Sequence, residues 1–169
     1  VTRRGSRNPL VVDQHVLAND FPGYEKLYFY TGDLAWGNIR GLLQNNIEGL
    51  RVFEEKDYRS PHNDGWGISD LHLFEEANSV FREFGEQPFI AFLHTSGNHR
   101  PYTVPRDSKG FERRPTDARL LLDNAFRSQE EFDSLRFMDH SLGHFFELAK
   151  RERYFERTLF VILGDHGSR

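Results

Sequence analysis

Pro88-Phe89-Ile90-Ala91-Phe92-Leu93-His94-Thr95 is a continuous apolar run with turn residues after it. A run of this length and composition reads as a strand buried on both faces, the kind that parallel sheets contain. Polar residues follow at its carboxyl end, Ser96-Gly97-Asn98-His99-Arg100-Pro101-Tyr102. The end of the chain repeats the pattern. Leu159-Phe160-Val161-Ile162-Leu163 reads as another buried strand, stopping at Gly164, with Asp165-His166 just beyond. In open α/β sheets ligands bind outside the carboxyl ends of the strands. Parallel strands place both carboxyl ends on one edge, so His99 is expected near Asp165.

The remaining elements fit around these two runs. Lys26 to Tyr30 is an aromatic strand ending in the turn Thr31-Gly32-Asp33, and Leu50 to Phe53 is a second short strand. Asn38 to Gln44 is expected to be helical, with Ile39, Leu42 and Leu43 on one side. Ser60 to Gly67 is a loop by composition. Ser69 is then a good N-cap, and Asp70 in the first turn suits the helix dipole. Leu71, Phe74, Ala77, Val80, Phe81 and Phe84 recur at helical spacing, and Gly85 supplies a stop. Pro101 to Ala125 is a polar excursion, read as a lid or rim. Gln129 to Lys150 is the strongest helix, with Phe132, Leu135, Met138, Leu142, Phe145 and Ala149 as its apolar stripe. Alternating strands and helices predict an α/β fold with a largely parallel sheet flanked by helices. No repeat or internal linker divides the chain, so 1–169 is expected to be one unit.

Composition narrows the function classes. The chain has 169 residues, enough for a domain with a core, and its 16 Phe, 6 Tyr and 2 Trp can supply that core in a chain only 37% apolar. The net charge of -4, with both signs interspersed, argues against a nucleic-acid partner; the basic start (Arg3, Arg4, Arg7) is too short to change that. Cysteine is absent, which excludes a disulfide, a thiol nucleophile and a Cys-zinc site within these residues. No stretch approaches the roughly 18 apolar residues of a membrane span. A chain that opens on Val rather than Met fits excision from a longer protein.

Several residues could carry chemistry, each with a plainer alternative. Asp165 and His166 offer a carboxylate and an imidazole, donors that suit Mn, Zn or Fe better than Ca. Read alone, the pair is equally a strand-end Asp capping a helix beside a surface His. His99 could donate to a phosphate or sulfate oxygen, or be a loop His bonded to backbone. Trp36 with Arg40 could form a stacking wall and an anion clamp, or be a core Trp and a helix-surface Arg. His140 and His144 stand four apart but lack the zincin glutamate, so a solvated helix face is the better reading. His15, His62, His72 and His94 have no evident partner. There is no phosphate-cradling Gly-rich loop and no Gly-x-Ser-x-Gly elbow.

Taken in order, Tyr30-Thr31-Gly32-Asp33, Trp36-Gly37-Asn38-Ile39-Arg40, Trp66-Gly67-Ile68-Ser69-Asp70, Pro88-Phe89-Ile90-Ala91-Phe92, Ser96-Gly97-Asn98-His99-Arg100-Pro101-Tyr102 and Gly164-Asp165-His166-Gly167 resemble the sulfatase-like phosphoglycerol transferases. That family includes lipoteichoic acid synthase and belongs to the alkaline phosphatase superfamily. The resemblance runs from about residue 25 to the end. It implies an alkaline-phosphatase-like fold, of which this chain is a partial catalytic domain. It implies that Asp165 and His166 ligate a divalent metal, Mn²⁺ or Mg²⁺ ahead of Ca²⁺ or Zn²⁺. His99 would contact the phosphoglycerol head group, and Trp36 and Arg40 would line the substrate pocket. Gly97 after Ser96 and Arg100 after His99 depart from the family pattern, which implies a different head group at the rim.

The same resemblance implies a metal-dependent phosphoglycerol transferase or phosphoester hydrolase. Its substrate would be an anionic phosphoglycerol or sulfate ester on extracytoplasmic glycans or lipids, attacked through a covalent intermediate. The family's Thr nucleophile and an acidic metal ligand would lie N-terminal to Val1. Arg3 to Gln14 resembles the stretch after the nucleophile helix, with Thr2 too near the end to be that residue. Further sheet would follow Arg169, and the parent would be membrane-anchored at the cell envelope. A sulfatase is the alternative enzyme, although its Cys/Ser-x-Pro-x-Arg context does not occur here. A non-catalytic module binding anionic head groups is the alternative outside enzymology.

Overall fold

The computed structural model describes residues 14–166. Thr2, the Arg3 to Gln14 stretch apart from Gln14, and the Gly167-Ser168-Arg169 end lie outside the described residues.

The strands β1 (Glu25–Tyr30), β2 (Arg51–Phe53) and β5 (Phe89–His94) form one sheet in the order β2-β1-β5. Both pairings are parallel, with Leu27 opposite Arg51 on one side and Glu25 to Tyr30 opposite Phe89 to His94 on the other. β1 is therefore central. The chain leaves it through helix α1 (Ile39–Asn46) to β2, then crosses through helix α2 (Asp70–Phe81) to β5 on the opposite side. That reversal puts a topological switch point between the carboxyl ends of β1 and β5, the position where open α/β sheets open a crevice. The expected loop at Ser60–Gly67 contains a small antiparallel hairpin, β3 (His62–Asp64) and β4 (Gly67–Ile68).

Strand periodicity divides the apolar residues between two faces. Leu27 and Phe29 of β1, with Phe89, Ala91 and Leu93 of β5, meet Leu73, Phe74, Ala77 and Phe81 of α2. Helix α4 (Gln129–Ala149) closes this layer through Phe145 and Ala149. Phe29 is fully buried, stacked on Phe53 at 4.5 Å between centroids and edge-on to Phe81 at 5.5 Å. Phe74 stacks on Phe145 at 5.3 Å. On the other face Tyr28, Val52 and Phe92 pack with Leu43 of α1 around Ala18, Ile47 and Leu50.

α2 follows its expected outline. Ser69 accepts the His72 amide as N-cap, and Gly85 follows a closing turn at Arg82–Phe84. α4 has the expected span but a displaced face. Leu135 is exposed, whereas Ser134, Phe137 and Ser141 are buried. Phe111 of the 101–125 excursion packs edge-on against Phe137 at 5.4 Å, which turns that side of the helix inward. Ser141 tolerates burial because its hydroxyl donates to the Phe137 carbonyl at 2.7 Å. The excursion also carries a short helix, α3 (Ala118–Asp123), capped by Asp117.

The expected last strand is not formed. Leu159 to Leu163 is not a buried strand: it joins no ladder among the described residues, and Leu159, Val161, Ile162 and Leu163 are exposed by 87%, 71%, 64% and 77%. Only Phe160 is anchored, against Phe145, Phe146 and Phe155. An apolar run states that a segment can be buried, but burial needs a neighbouring strand and a layer on each face. The described residues supply the layer for Phe160 alone.

The packing of β1 yields a stability expectation. Phe29→Ala should destabilise the fold by about 3–5 kcal/mol, as for other large aromatic truncations in a closed core. Urea unfolding of both proteins measures it, and a loss below about 1 kcal/mol would mean that this core repacks freely.

Candidate active-site edge

The turns that follow β1, β4 and β5 are tied together at the switch point. Thr31, fully buried just after β1, shares a 2.6 Å hydroxyl hydrogen bond with Ser96 just after β5. The Ile68 amide donates to the Thr31 carbonyl at 3.0 Å. Between them Gly67 sits at φ +99°, and a Cβ there would lie 1.9 Å from the Thr31 carbonyl oxygen. Only glycine permits that approach.

Asp70, the first residue of α2, is 2% exposed and shapes the turn that carries His99. Its carboxylate accepts the Ser96 amide at 3.0 Å and the Gly97 amide at 3.1 Å. A Cβ on residue 97 would lie 2.3 Å from the Asp70 Oδ2, so glycine is what lets the carboxylate close on the backbone. This gives the departure at Gly97 a physical reason. Burial pushes the Asp70 carboxyl up to about 6; the two amides oppose the shift and the nearby Asp64 carboxylate adds to it.

His99 is exposed at the tip of this turn, its amide bonded to the Ser96 carbonyl at 3.0 Å. Its Nδ1 lies 3.0 Å from the Arg100 carbonyl oxygen, which can only accept. Nδ1 is therefore the protonated nitrogen, and Nε2 is the acceptor in the neutral ring. The Trp66 Nε1–H donates to the same carbonyl at 2.6 Å, and the Trp66 and His99 rings lie 4.0 Å apart. Trp36, 65% exposed in the turn Trp36–Asn38, meets Trp66 edge-on at 6.0 Å. Trp36 is thus a surface wall rather than a core residue, and it joins His99 through Trp66.

Arg40 takes a different place. Its guanidinium is paired with Glu54, a carboxylate only 1% exposed. Lys56 Nζ reaches the same oxygen at 2.7 Å, and the Leu34 amide donates to the other at 2.8 Å. Burial alone would raise the Glu54 pKa, but the hydrogen bonds from Lys56, Arg40 and Leu34 outweigh it and hold the carboxyl below its usual range. Arg40 and Glu54 together fix the turn that presents Trp36.

Asp165 and His166 are exposed on the segment after Leu163. His166 Nε2 lies 3.6 Å from Asp165 Oδ2. The Asp165 carboxylate acts on His94, the last residue of β5, whose Nδ1 shares a 2.7 Å hydrogen bond with the Tyr28 hydroxyl. Desolvation of the His94 ring lowers its pKa, and the Asp165 charge partly opposes that. One carboxylate and one imidazole, adjacent and exposed, fit as two donors to a divalent cation. They do not make a complete centre, since no group of three candidate ligands occurs among the described residues.

The other histidines are structural ties. His144 Nε2 meets Glu75 of α2 at 3.0 Å, and His140 Nε2 meets the Ser108 carbonyl at 3.1 Å. These contacts join α4 to α2 and to the excursion, so the expected solvated face is partly covered. His72 is buried against Ser69, while His15 and His62 pair with Asp20 and Glu55. The sequence by itself assigns Asp70 a dipole role and Glu54 none. The signal for both is the one that points to Asp165: they are acids at element ends.

The raised pKa of Asp70 has a definite sign. A carboxyl that is harder to ionise when folded binds more protons in the native state between about pH 4 and 6. Its contribution to stability is fully present below about pH 4 and is lost as the pH rises through about 6. Asp70→Asn lacks this titration. Urea unfolding between pH 4 and 7.5 should therefore show wild type losing stability relative to Asp70→Asn as the pH rises; parallel profiles would refute the shift.

Comparison with known proteins gives this edge its family. The sulfatase family model matches residues 20–169. The lipoteichoic acid synthase-like protein YvgJ of Bacillus subtilis is 25% identical over 145 residues, covering 85% of this chain and 22% of that protein. Phosphoglycerol transferase I of Xanthomonas axonopodis is 21% identical over 151 residues, covering 85% of this chain and 20% of that protein. The chain thus spans about a fifth of the length of these relatives. A Vibrio parahaemolyticus protein of the alkaline phosphatase superfamily superposes with a TM-score of 0.69 at 25% identity, covering 87% of this chain and 34% of that one. The lipoteichoic acid synthase LtaP of Listeria monocytogenes superposes at 0.62 with 19% identity, covering 79% and 32%. The α/β architecture is therefore alkaline-phosphatase-like, and the chain belongs to the sulfatase family.

Proposed function

We propose that this chain forms part of a metal-dependent phosphoglycerol transferase or phosphoester hydrolase acting on glycan or lipid head groups at the cell envelope. The observation that supports the reading is the grouping of His99 with Trp66 and Trp36 just beyond β5, the strand whose last residue, His94, is acted on by the Asp165 charge. The names of the relatives support the phosphoglycerol branch. Membrane attachment would belong to the parent protein; among the described residues no helix is long and apolar enough to cross a membrane.

Asp165 and His166 would hold the cation, Mn²⁺ or Mg²⁺, beside ligands from elsewhere in the domain. A divalent metal there lowers the pKa of an attacking hydroxyl and neutralises charge on the transferring group. His99 contributes through Nε2, which in the protonated ring donates to a phosphoryl oxygen or to the departing alkoxide. Its Nδ1–H, held by the Arg100 carbonyl, keeps the ring facing outward. Arg40 lends a fixed positive charge beneath the Trp36 turn, tempered by Glu54. The hydroxyl that attacks phosphorus and carries the covalent intermediate is placed N-terminal to Val1, following the family resemblance.

Two measurements test this. In the complete catalytic domain, Asp165→Ala and His166→Ala should each lower Mn²⁺-dependent release of glycerol phosphate at least about 100-fold, the scale of losing one preorganised electrostatic stabiliser. The 169-residue chain alone should turn over a phosphodiester no faster than its Asp165→Ala variant. Turnover by the chain alone that Asp165→Ala abolishes would overturn the placement of the nucleophile.

A further inference from the structure

Trp66 belongs to none of the roles assigned above, yet it joins the site together. Its indole N–H and the His99 Nδ1–H converge on one acceptor, the Arg100 carbonyl oxygen, at 2.6 and 3.0 Å. A carbonyl has two lone pairs, so both bonds can be made at once. The two rings are thereby fixed 4.0 Å apart, and Trp36 extends the aromatic surface edge-on. A tryptophan 65% exposed keeps a large apolar area in water, which is unfavourable unless a partner covers it. That ring is Trp36; Trp66, only partly exposed, lies between it and His99, a histidine able to donate to an anion. An apolar wall next to an anion donor matches a ligand with a carbon skeleton on one side and an acidic group on the other.

We propose that Trp66 is a specificity-determining residue, and that with Trp36 it packs against the C–H face of a polyol or glycosyl head group while His99 takes the attached anion. The proposal rests on the head-group reading of this site given above. Polarised C–H groups of a polyol are attracted to the electron-rich face of an aromatic ring. The rings are held by backbone rather than by long flexible side chains, so little ordering is required on binding. Selectivity then lies in the carbon part of the ligand, which inorganic phosphate lacks.

The chain supplies its own reporter, because its only two tryptophans are Trp36 and Trp66. The experiment titrates the 169-residue chain with glycerol phosphate and, separately, inorganic phosphate, following tryptophan fluorescence in metal-free buffer. Glycerol phosphate should bind about tenfold more tightly than phosphate. Trp66→Leu should abolish that preference, with Trp36 still reporting. Trp66→Phe keeps a ring without the N–H and should retain more of the preference than Trp66→Leu, with thermal melts confirming that both variants fold. Equal binding of the two ligands by wild type, an undiminished preference in Trp66→Leu, or equal loss in both variants would overturn the proposal. A preference for glycerol phosphate that survives Trp66→Leu would do so while leaving the head-group reading standing. No response to either ligand, unchanged by His99→Ala, would overturn that reading and the proposal with it.

Discussion

The parallel pairing of β1 with β5 is the constraint on which the rest depends. Six residue pairs in register, from Glu25 with Phe89 to Tyr30 with His94, fix which side chains point to which face. Leu27, Phe29, Ala91 and Leu93 are committed to the α2–α4 layer, and Tyr28 and Phe92 to the α1 layer. A slip of one residue would exchange those sets and expose both cores. The same register brings Thr31 within hydrogen-bonding reach of Ser96 beyond the strand ends, so the site edge is a consequence of the ladder.

Beyond that ladder the turns are held by buried carboxylates. Asp70 binds the backbone of the His99 turn, and Glu54 binds the backbone and the arginine of the Trp36 turn. The two achieve this in electrostatically opposite ways. Glu54 is supplied with cations, and its ionised form is favoured on balance. Asp70 has only neutral amides and a neighbouring Asp64, so desolvation dominates. A carboxylate kept in such a place costs stability at neutral pH. What it contributes is geometry, the fixed path of residues 96–100 that sets His99 against Trp66. Gly97 belongs to the same device, because any side chain there would occupy the carboxylate's position.

The segment after α4 is built differently. Phe160 is locked into an aromatic cluster with Phe145, Phe146 and Phe155, while the apolar residues on either side of it face solvent. Among the described residues no ladder holds the segment that carries Asp165 and His166, and Phe160 is its packed residue. This contrasts with His99, whose turn is fixed by hydrogen bonds to Asp70 and Trp66 through the backbone.

Most of the architecture was legible in local sequence. The run Phe89–His94, the cap at Ser69 and the helical spacing of Leu71, Phe74, Ala77 and Phe81 each express a period or a hydrogen-bonding preference that belongs to a few neighbouring residues. The ordered motifs likewise carried the family, because side-chain chemistry at a strand end is written contiguously. Three things were decided only in three dimensions. Leu159–Leu163 has the composition of a buried strand, but burial is a property of what lies beside it. Leu135 and Phe137 compete for the inner face of α4, and the winner was settled by Phe111, distant in sequence. The joining of Trp66 and His99 depends on a single carbonyl, that of Arg100, and backbone acceptors are the same in every residue. Sequence fixes which groups exist and their local periodicity, whereas the pairing of groups from separate turns follows from the sheet that brings those turns to one edge.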